Sequence, residues 1–265
     1  MAFNGLTTIP TGPKVARSAA DAVCDIPSGA SLAVGGFGVA GVPDTVIAAL
    51  VDRDVTGLEV VSNNCGAGGH GLDLLLTQGR IRRMIASYVG ENKEFARQYL
   101  AGELEVELTP QGTLAEKLRA GGAGIPAFFT PAGVGTPVSA GGLPWRYASD
   151  GSVAIASPPK EIREFAGRRY VLEESISTDY ALVHALVGDT EGNLVFNKAA
   201  QNFNPVAAMA GRVCIAEVEQ LVDAGDIDPA QVHLPGIFVD RIVYSGPQHK
   251  HIEKRTIRTG GEGRS

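Results

Sequence analysis

The sequence predicts an α/β fold: a mainly parallel sheet with helices on both faces, interrupted by an irregular, β-rich excursion in its middle. Three observations carry this. Short apolar runs alternate with helix-period segments at short loop lengths as far as Phe129. Several of the runs end in glycine-rich turns. After Gly133 the alternation breaks into a Gly-, Pro- and Ser-rich stretch reaching residue 168.

The elements follow in order. Ser18–Ile26 reads as a helix with Ser18 as N-cap. Leu32–Val34 is a buried strand running into Gly35-Gly36-Phe37-Gly38-Val39-Ala40-Gly41-Val42-Pro43, where Pro43 can occupy the first position of a helix. Asp44–Val51 is that helix, with Val46, Ile47 and Leu50 on one face. Leu58–Ser62 is a strand followed by the second glycine-rich loop, Asn63–Gly69, and Gly71–Gln78 is helical. Ile81–Val89 is a strand and Glu91–Leu100 a helix. Leu104–Leu108 alternates, with Leu104, Val106 and Leu108 on one face and Glu103, Glu105 and Glu107 on the other. Thr109–Gly112 is a sharp turn before a helix over Leu114–Arg119, which Gly121–Gly124 ends, and Pro126–Phe129 begins a short strand. Val153–Ala156 is a short strand within the excursion. Strands return at Tyr170–Ile176, Tyr180–Val187, Leu194–Asn197 and Val213–Val218, with a hairpin-like turn at Asp189–Gly192 and a helix at Asn204–Ala210. No internal repeat is evident. Residues 14–257 read as a single domain, with a split near 133 as the alternative; residues 1–13 and 258–265 read as loose termini.

The chain has 265 residues and a net charge of −6, with 44% hydrophobic and 20% charged residues. This acidic balance argues against a nucleic-acid partner, which calls for a basic surface. No apolar run approaches the length of a membrane span, and no signal peptide is evident. The three cysteines, Cys24, Cys65 and Cys214, form neither a metal-ligand pair nor a disulfide framework, which fits a cytoplasmic location.

Three turns, Gly35–Gly41, Asn63–Gly69 and Thr109–Gly112, follow strands and would converge on one crevice at the carboxyl edge of a parallel sheet. Backbone N–H groups and Asn and Gln carboxamides suit a carbonyl oxygen that becomes negative during reaction. Asn and Gly are also frequent in turns for conformational reasons, which explains any one of these turns but not three at one edge. Gly36-x-Gly38-x-x-Gly41 matches a dinucleotide pattern. A lone match is unspecific, Phe37 would crowd a pyrophosphate, and Glu59 lies inside the next strand instead of at its end. Cys65 and His70 could form a nucleophile pair, and Glu91 could be an activated carboxylate. The plainer readings are a small loop thiol, a capping or surface histidine, and an acid in the first turn of a helix. Lys160-Glu161 and Glu173-Glu174 read as solvated charges. The residues therefore supply a site wall and donors but no convincing nucleophile, and one physical solution is a nucleophile from another chain.

Ser31–Pro43, Ser62-Asn63-Asn64, Ser87–Asn92, Gly102–Leu114 and Arg119–Phe128 together resemble blocks of the A (α) subunits of family I CoA-transferases, and most closely of 3-oxoacid CoA-transferases. The resemblance spans about residues 14–257. It implies a Rossmann-like α/β sheet. It also implies CoA transfer from succinyl-CoA or another acyl-CoA to a 3-oxoacid such as acetoacetate, a reaction of ketone body metabolism. The alternatives are a non-catalytic CoA-binding relative and the A subunit of an acetate/butyrate-type CoA-transferase. The family's nucleophilic glutamate lies in a Ser-Glu-Asn-Gly motif of the B subunit, which this chain lacks, so a B subunit is the expected partner in a heterodimer or heterotetramer. Carried over by motif, Gln111 is the oxyanion donor, Asn63 an orienting amide, and Gly35, Gly36, Phe37 and Gly38 the substrate/CoA-binding wall. No metal and no prosthetic group are expected, and coenzyme A enters as substrate. Gly66–His70 departs from the family pattern, which bears on the acceptor.

Overall fold

In the computed structural model, residues 12–248 are described. The readings of 1–13 and 258–265 as loose termini lie outside them except at residues 12 and 13, and so does the 249–257 end of the expected domain. The elements are α1 (Ala19–Ala22), β1 (Ser31–Val34), α2 (Asp44–Val51), β2 (Leu58–Val61), α3 (Asp73–Thr77), β3 (Ile81–Ala86), α4 (Lys93–Leu100), β4 (Glu105–Leu108) and α5 (Gln111–Gly122). β5 (Ala127–Thr130), α6 (Pro137–Ala140), β6 (Pro144–Tyr147), β7 (Val153–Ala156), β8 (Ile162–Phe165) and β9 (Arg168–Glu174) follow. The chain then runs through β10 (Thr178–Asp189), β11 (Leu194–Val195), α7 (Asn204–Ala210), β12 (Gly211–Val222) and β13 (Arg241–Tyr244).

The main sheet has the order β13-β12-β10-β1-β2-β3-β4. Every pairing along this path is parallel, and only β11 folds back antiparallel on β10. Strand order reverses between β1 and β10, the place where an open α/β sheet leaves a crevice at its carboxyl edge. Side-chain alternation divides the core in two. Leu32, Val60, Met84, Leu182 and Ile215 face the layer built from Val46, Ile47, Leu50, Leu75 and Phe95. Ala33, Val61, Ile85, Ala181 and Ala216 face Leu114, Leu118, Ala207 and Ala208. Both faces are covered, so these strands read as nearly continuous apolar runs. The α/β class with helices on both faces is what the structure has.

The excursion is two small antiparallel sheets, β5-β9-β8 and β6-β7. It is more regular than its composition suggests, and it takes in the strands near 127 and 170 that read as members of the main sheet. Some local expectations change as well. α1 stops at Ala22, although Ser18 does cap it, accepting from the Asp21 N–H at 3.0 Å. Pro43 is the N-cap of α2, not its first residue. The turn at Thr109 is tighter than expected, because Gln111 already begins α5. Gly121 and Gly122 lie inside that helix, where a Cβ would collide with the Ile176 carbonyl and with the Met209 side chain. In β4 the alternation fails at its end: Leu108 is 43% exposed while Glu107 is buried. Arg83 at 2.7 Å and Lys117 at 3.5 Å compensate the Glu107 charge. Glu173, read as solvated, is buried and bridges Lys117 at 3.3 Å and Lys160 at 2.6 Å.

Candidate active site at the carboxyl edge

The turns after β1, β2 and β4 meet as expected. Gln111, exposed in the first turn of α5, donates from Nε2 to Asn63 Oδ1 at 2.9 Å. Ser87, just past β3, donates its hydroxyl to the same oxygen at 2.7 Å. Two donors fix the orientation of the buried Asn63 carboxamide, so its Nδ2 faces Asn64 Oδ1 at 3.2 Å. Asn64 in turn clamps the first loop, accepting from the Gly38 N–H at 3.0 Å and donating to the Gly38 carbonyl at 3.2 Å. A continuous chain of amides thus runs Gln111–Asn63–Asn64–Gly38. A carboxamide nitrogen has two N–H groups. Only one of those on Gln111 finds a partner among the described residues, and the exposed position leaves the other for a ligand oxygen.

The first loop is also held from the other side. Asn202 accepts from the Gly36 N–H at 3.1 Å and donates to the Ala40 carbonyl at 3.0 Å. Asn204, fully buried, donates to the Gly41 carbonyl at 2.9 Å and accepts from the His184 N–H at 2.9 Å. Gly35 permits this, because a Cβ there would collide with Asn204 Oδ1. Asn202 sits at φ +22°, in the region few side chains adopt. Phe37 stands out from the loop, 47% exposed.

The second loop is built to the same plan, thirty positions on. Phe37 and Ala40 form an antiparallel bridge, as do Ala67 and His70. Gly36, Gly38 and Gly41 have positive φ, and so do Gly66, Gly68 and Gly71. This local repeat escapes a reading of the sequence because only the glycine positions recur. Asp73 accepts from the Gly69 N–H at 2.7 Å, and Asp44 from the Gly71 N–H at 3.0 Å. Asn92 donates to the Cys65 and Gly66 carbonyls at 3.3 and 3.1 Å while capping α4. A narrow cleft between the loops is lined by Gly38, Val42, Gly66 and His70.

Neither Cys65 nor Glu91 is placed as a nucleophile, and neither fits its plainer reading fully. Cys65 is fully buried in the core, and desolvation pushes its thiol far above its ordinary range. Glu91 is exposed and precedes the N-cap Asn92, so it lies outside the first turn of α4. Among the described residues, no group of three or more His, Cys, Asp or Glu is arranged to hold a metal, and no helix is long and apolar enough to cross a membrane. Asn92, Asn202 and Asn204 were not singled out from the sequence. Asn204 precedes Pro205 and Asn92 lies two residues after Gly90, signals common in ordinary loops, and no local signal marks Asn202.

A parallel sheet with its strand-order reversal between β1 and β10, and a chain of amides along the carboxyl edge, define an open α/β protein of the kind that binds ligands at that edge. The coenzyme A transferase model matches residues 16–245, and the chain belongs to that family. A protein of Mycobacterium tuberculosis, described as the probable A subunit of a succinyl-CoA:3-ketoacid coenzyme A transferase, is 66% identical over 245 residues, covering 92% of this chain and 99% of that one. The human mitochondrial succinyl-CoA:3-ketoacid coenzyme A transferase 2 is 50% identical over 235 residues, which are 89% of this chain and 46% of its own length. Among solved structures, an acyl-CoA transferase of Escherichia coli O157:H7 in a thioester complex with CoA superposes with a TM-score of 0.75 at 24% identity. The match covers 92% of this chain and 50% of that one. Glutaconate CoA-transferase of Acidaminococcus fermentans gives a TM-score of 0.71 at 22% identity, over 88% of this chain and 76% of that one. These two likenesses establish the fold.

Proposed function

We propose that this chain is the A subunit of a 3-oxoacid CoA-transferase. It would move CoA from an acyl-CoA such as succinyl-CoA to a 3-oxoacid such as acetoacetate, in the cytoplasm, with a separate B chain supplying the nucleophile. The observation that carries this is the 66% identity, spread along nearly the whole of both chains, to a protein described as the A subunit of such an enzyme. The site supports it chemically. A glutamate of the B chain attacks the thioester carbonyl, CoA leaves as thiolate, and an acyl–glutamyl anhydride remains. The thiolate then attacks the glutamyl carbonyl, the carboxylate departs, and a glutamyl-CoA thioester forms. The acceptor carboxylate runs the sequence in reverse. Each carbonyl attack places negative charge on an oxygen, and the free N–H of Gln111 is the donor aimed at it, held by Asn63. Gly35, Gly36, Phe37 and Gly38 form the wall along which the acyl group and CoA approach. No prosthetic group is required, since the thioester carries the driving force.

Phe37 and Tyr88, past the ends of β1 and β3, and Leu108, the last residue of β4, are 47%, 56% and 43% exposed at the carboxyl edge. This apolar rim is what a partner chain would cover. The test is reconstitution with the B chain followed by an acyl-exchange assay. Borohydride reduction and peptide mass spectrometry then locate the thioester. The reading requires exchange only in the mixture and the label on a partner glutamate. Exchange by this chain alone, or a label on Glu91, refutes it.

A further inference from the structure

Helix α2 begins directly after the first loop, and its N-cap, Pro43, has no side-chain acceptor to offer. Helix N-terminal N–H groups need partners, and the usual ones are side chains of the capping residue. Here the acceptor comes from another element. Glu217, on β12, places Oε2 3.0 Å from the N–H of Val46 in the first turn of α2. Glu217 is 0% exposed, and its second oxygen, Oε1, has no hydrogen-bond partner among the described residues. A carboxylate so placed gains from the helix dipole, but it is costly to bury with one oxygen unsatisfied. Nothing in the core calls for it: Ile215, two residues earlier on the same face, is ordinary apolar packing.

The first turn of α2 is also where the two glycine-rich loops are joined. It continues from Gly41, and its Asp44 accepts from the Gly71 N–H of the second loop at 3.0 Å. We propose that Glu217 is a positioning residue: by capping α2 from the neighbouring strand, it holds both walls of the crevice in register with the amide chain. The idea rests on the CoA-transferase reading for its kinetic consequences but not for its structural ones.

The groups facing Glu217 make its charge state consequential. Asp44 stands on α2, and His184 is its register neighbour on β10. Glu219 lies two residues along β12, with Oε1 3.4 Å from His184 Nε2. Burial, with Asp44 adding to it, raises the Glu217 carboxyl to about 7, while the Val46 and Thr45 hydrogen bonds act the other way. Ionisation near neutrality brings a second negative charge beside Asp44, the residue that ties down Gly71.

The experiment compares wild type, Glu217→Gln and Glu217→Leu, each assembled with the B chain. Gln keeps an acceptor for Val46 N–H and Leu does not. We expect Leu to lower kcat by about tenfold to a hundredfold, the scale of a misplaced site wall, with a smaller change in KM. Gln should restore kcat to near the wild-type value below neutrality and remove an ionisation near 7 from the kcat profile. Hydrogen exchange on the isolated chain should show faster exchange in Leu, but not Gln, for the peptides spanning 41–48 and 66–72. Equal kcat and exchange in all three overturns the proposal, as does a Gln variant as impaired as Leu. If no variant or wild type transfers CoA, the functional reading fails, and the exchange result still decides the capping role.

Discussion

Gln111 Nε2 lies 2.9 Å from Asn63 Oδ1, and this contact joins the carboxyl end of β2 to the first turn of α5 across the intervening strand β3. The pair divides the work. Asn63 is buried and already accepts a second hydrogen bond from Ser87, so it serves as the fixed end. Gln111 is exposed and keeps an N–H to give, so under the proposed function it is the end offered to the oxyanion.

Replacing Gln111 with Ala should therefore lower turnover by about 10²–10³, the usual cost of one oxyanion donor, while leaving assembly with the B chain intact. Steady-state kinetics and gel filtration check the two halves. An unchanged rate removes Gln111 from the site.

Asn63 should act through Gln111. Asn63→Ala alone should impair turnover. Added to Gln111→Ala it should cost far less than the sum of the two, because the orienting group then has nothing to orient. A double-mutant cycle on kcat measures this. Strict additivity would mean that Asn63 contacts the reacting groups independently.

The path from residues to this site explains what could be foreseen. Asp44–Val51 and Asn204–Ala210 have the bounds the sequence pattern predicts, since both helices are set by strong local signals. The convergence of Asn63 and Gln111 was legible because a parallel sheet puts every strand's carboxyl end on one edge. Asn202 and Asn204 were not, because they act on the first loop across 166 and 163 residues of chain. Glu107 and Glu173 were misread for a related reason: their compensating partners Lys117 and Lys160 come from other elements. Local pattern shows which way a charge points but not what tertiary structure places opposite it.

Gly35 tests the packing of the first loop. Its backbone does not require glycine, since its φ is not positive, but its space does. A methyl group there meets the buried Asn204 side chain, whose displacement would strand the Gly41 carbonyl and the His184 N–H. Gly35→Ala should lower stability by about 1–3 kcal/mol and reduce kcat as well. Gly38→Ala, with open space at its Cβ, should show only the strain of φ +59°. Denaturant titration of both variants checks the order, and a Gly35→Ala protein as stable as wild type would contradict the packing.

Thiol chemistry separates the transferase reading from a cysteine mechanism. Cys24 is exposed, whereas Cys65 and Cys214 are buried, and desolvation raises both of their thiols. Native protein should react with a thiol reagent at one site, and unfolded protein at three. Cys65→Ala should retain wild-type turnover. Rapid labelling of Cys65 in the native chain, with loss of activity, would restore it as a nucleophile.

The last expectation concerns pH and stability. Glu217 has a folded-state pKa of about 7 against an ordinary 4.5. The folded state thus holds this proton more tightly than the unfolded chain does. Between the two values the folded protein binds more protons, so stability falls as pH rises. The favourable contribution is complete below about 4.5 and lost by the time pH passes 7. The full span is worth roughly 3 kcal/mol. Glu217→Gln cannot ionise and should remove that slope. Its stability should match wild type near pH 4.5, and the advantage over wild type should grow toward pH 8. Urea unfolding at a series of pH values reads the difference directly. Parallel curves for the two proteins would place the Glu217 carboxyl in its ordinary range, and a variant less stable at high pH would reverse the sign.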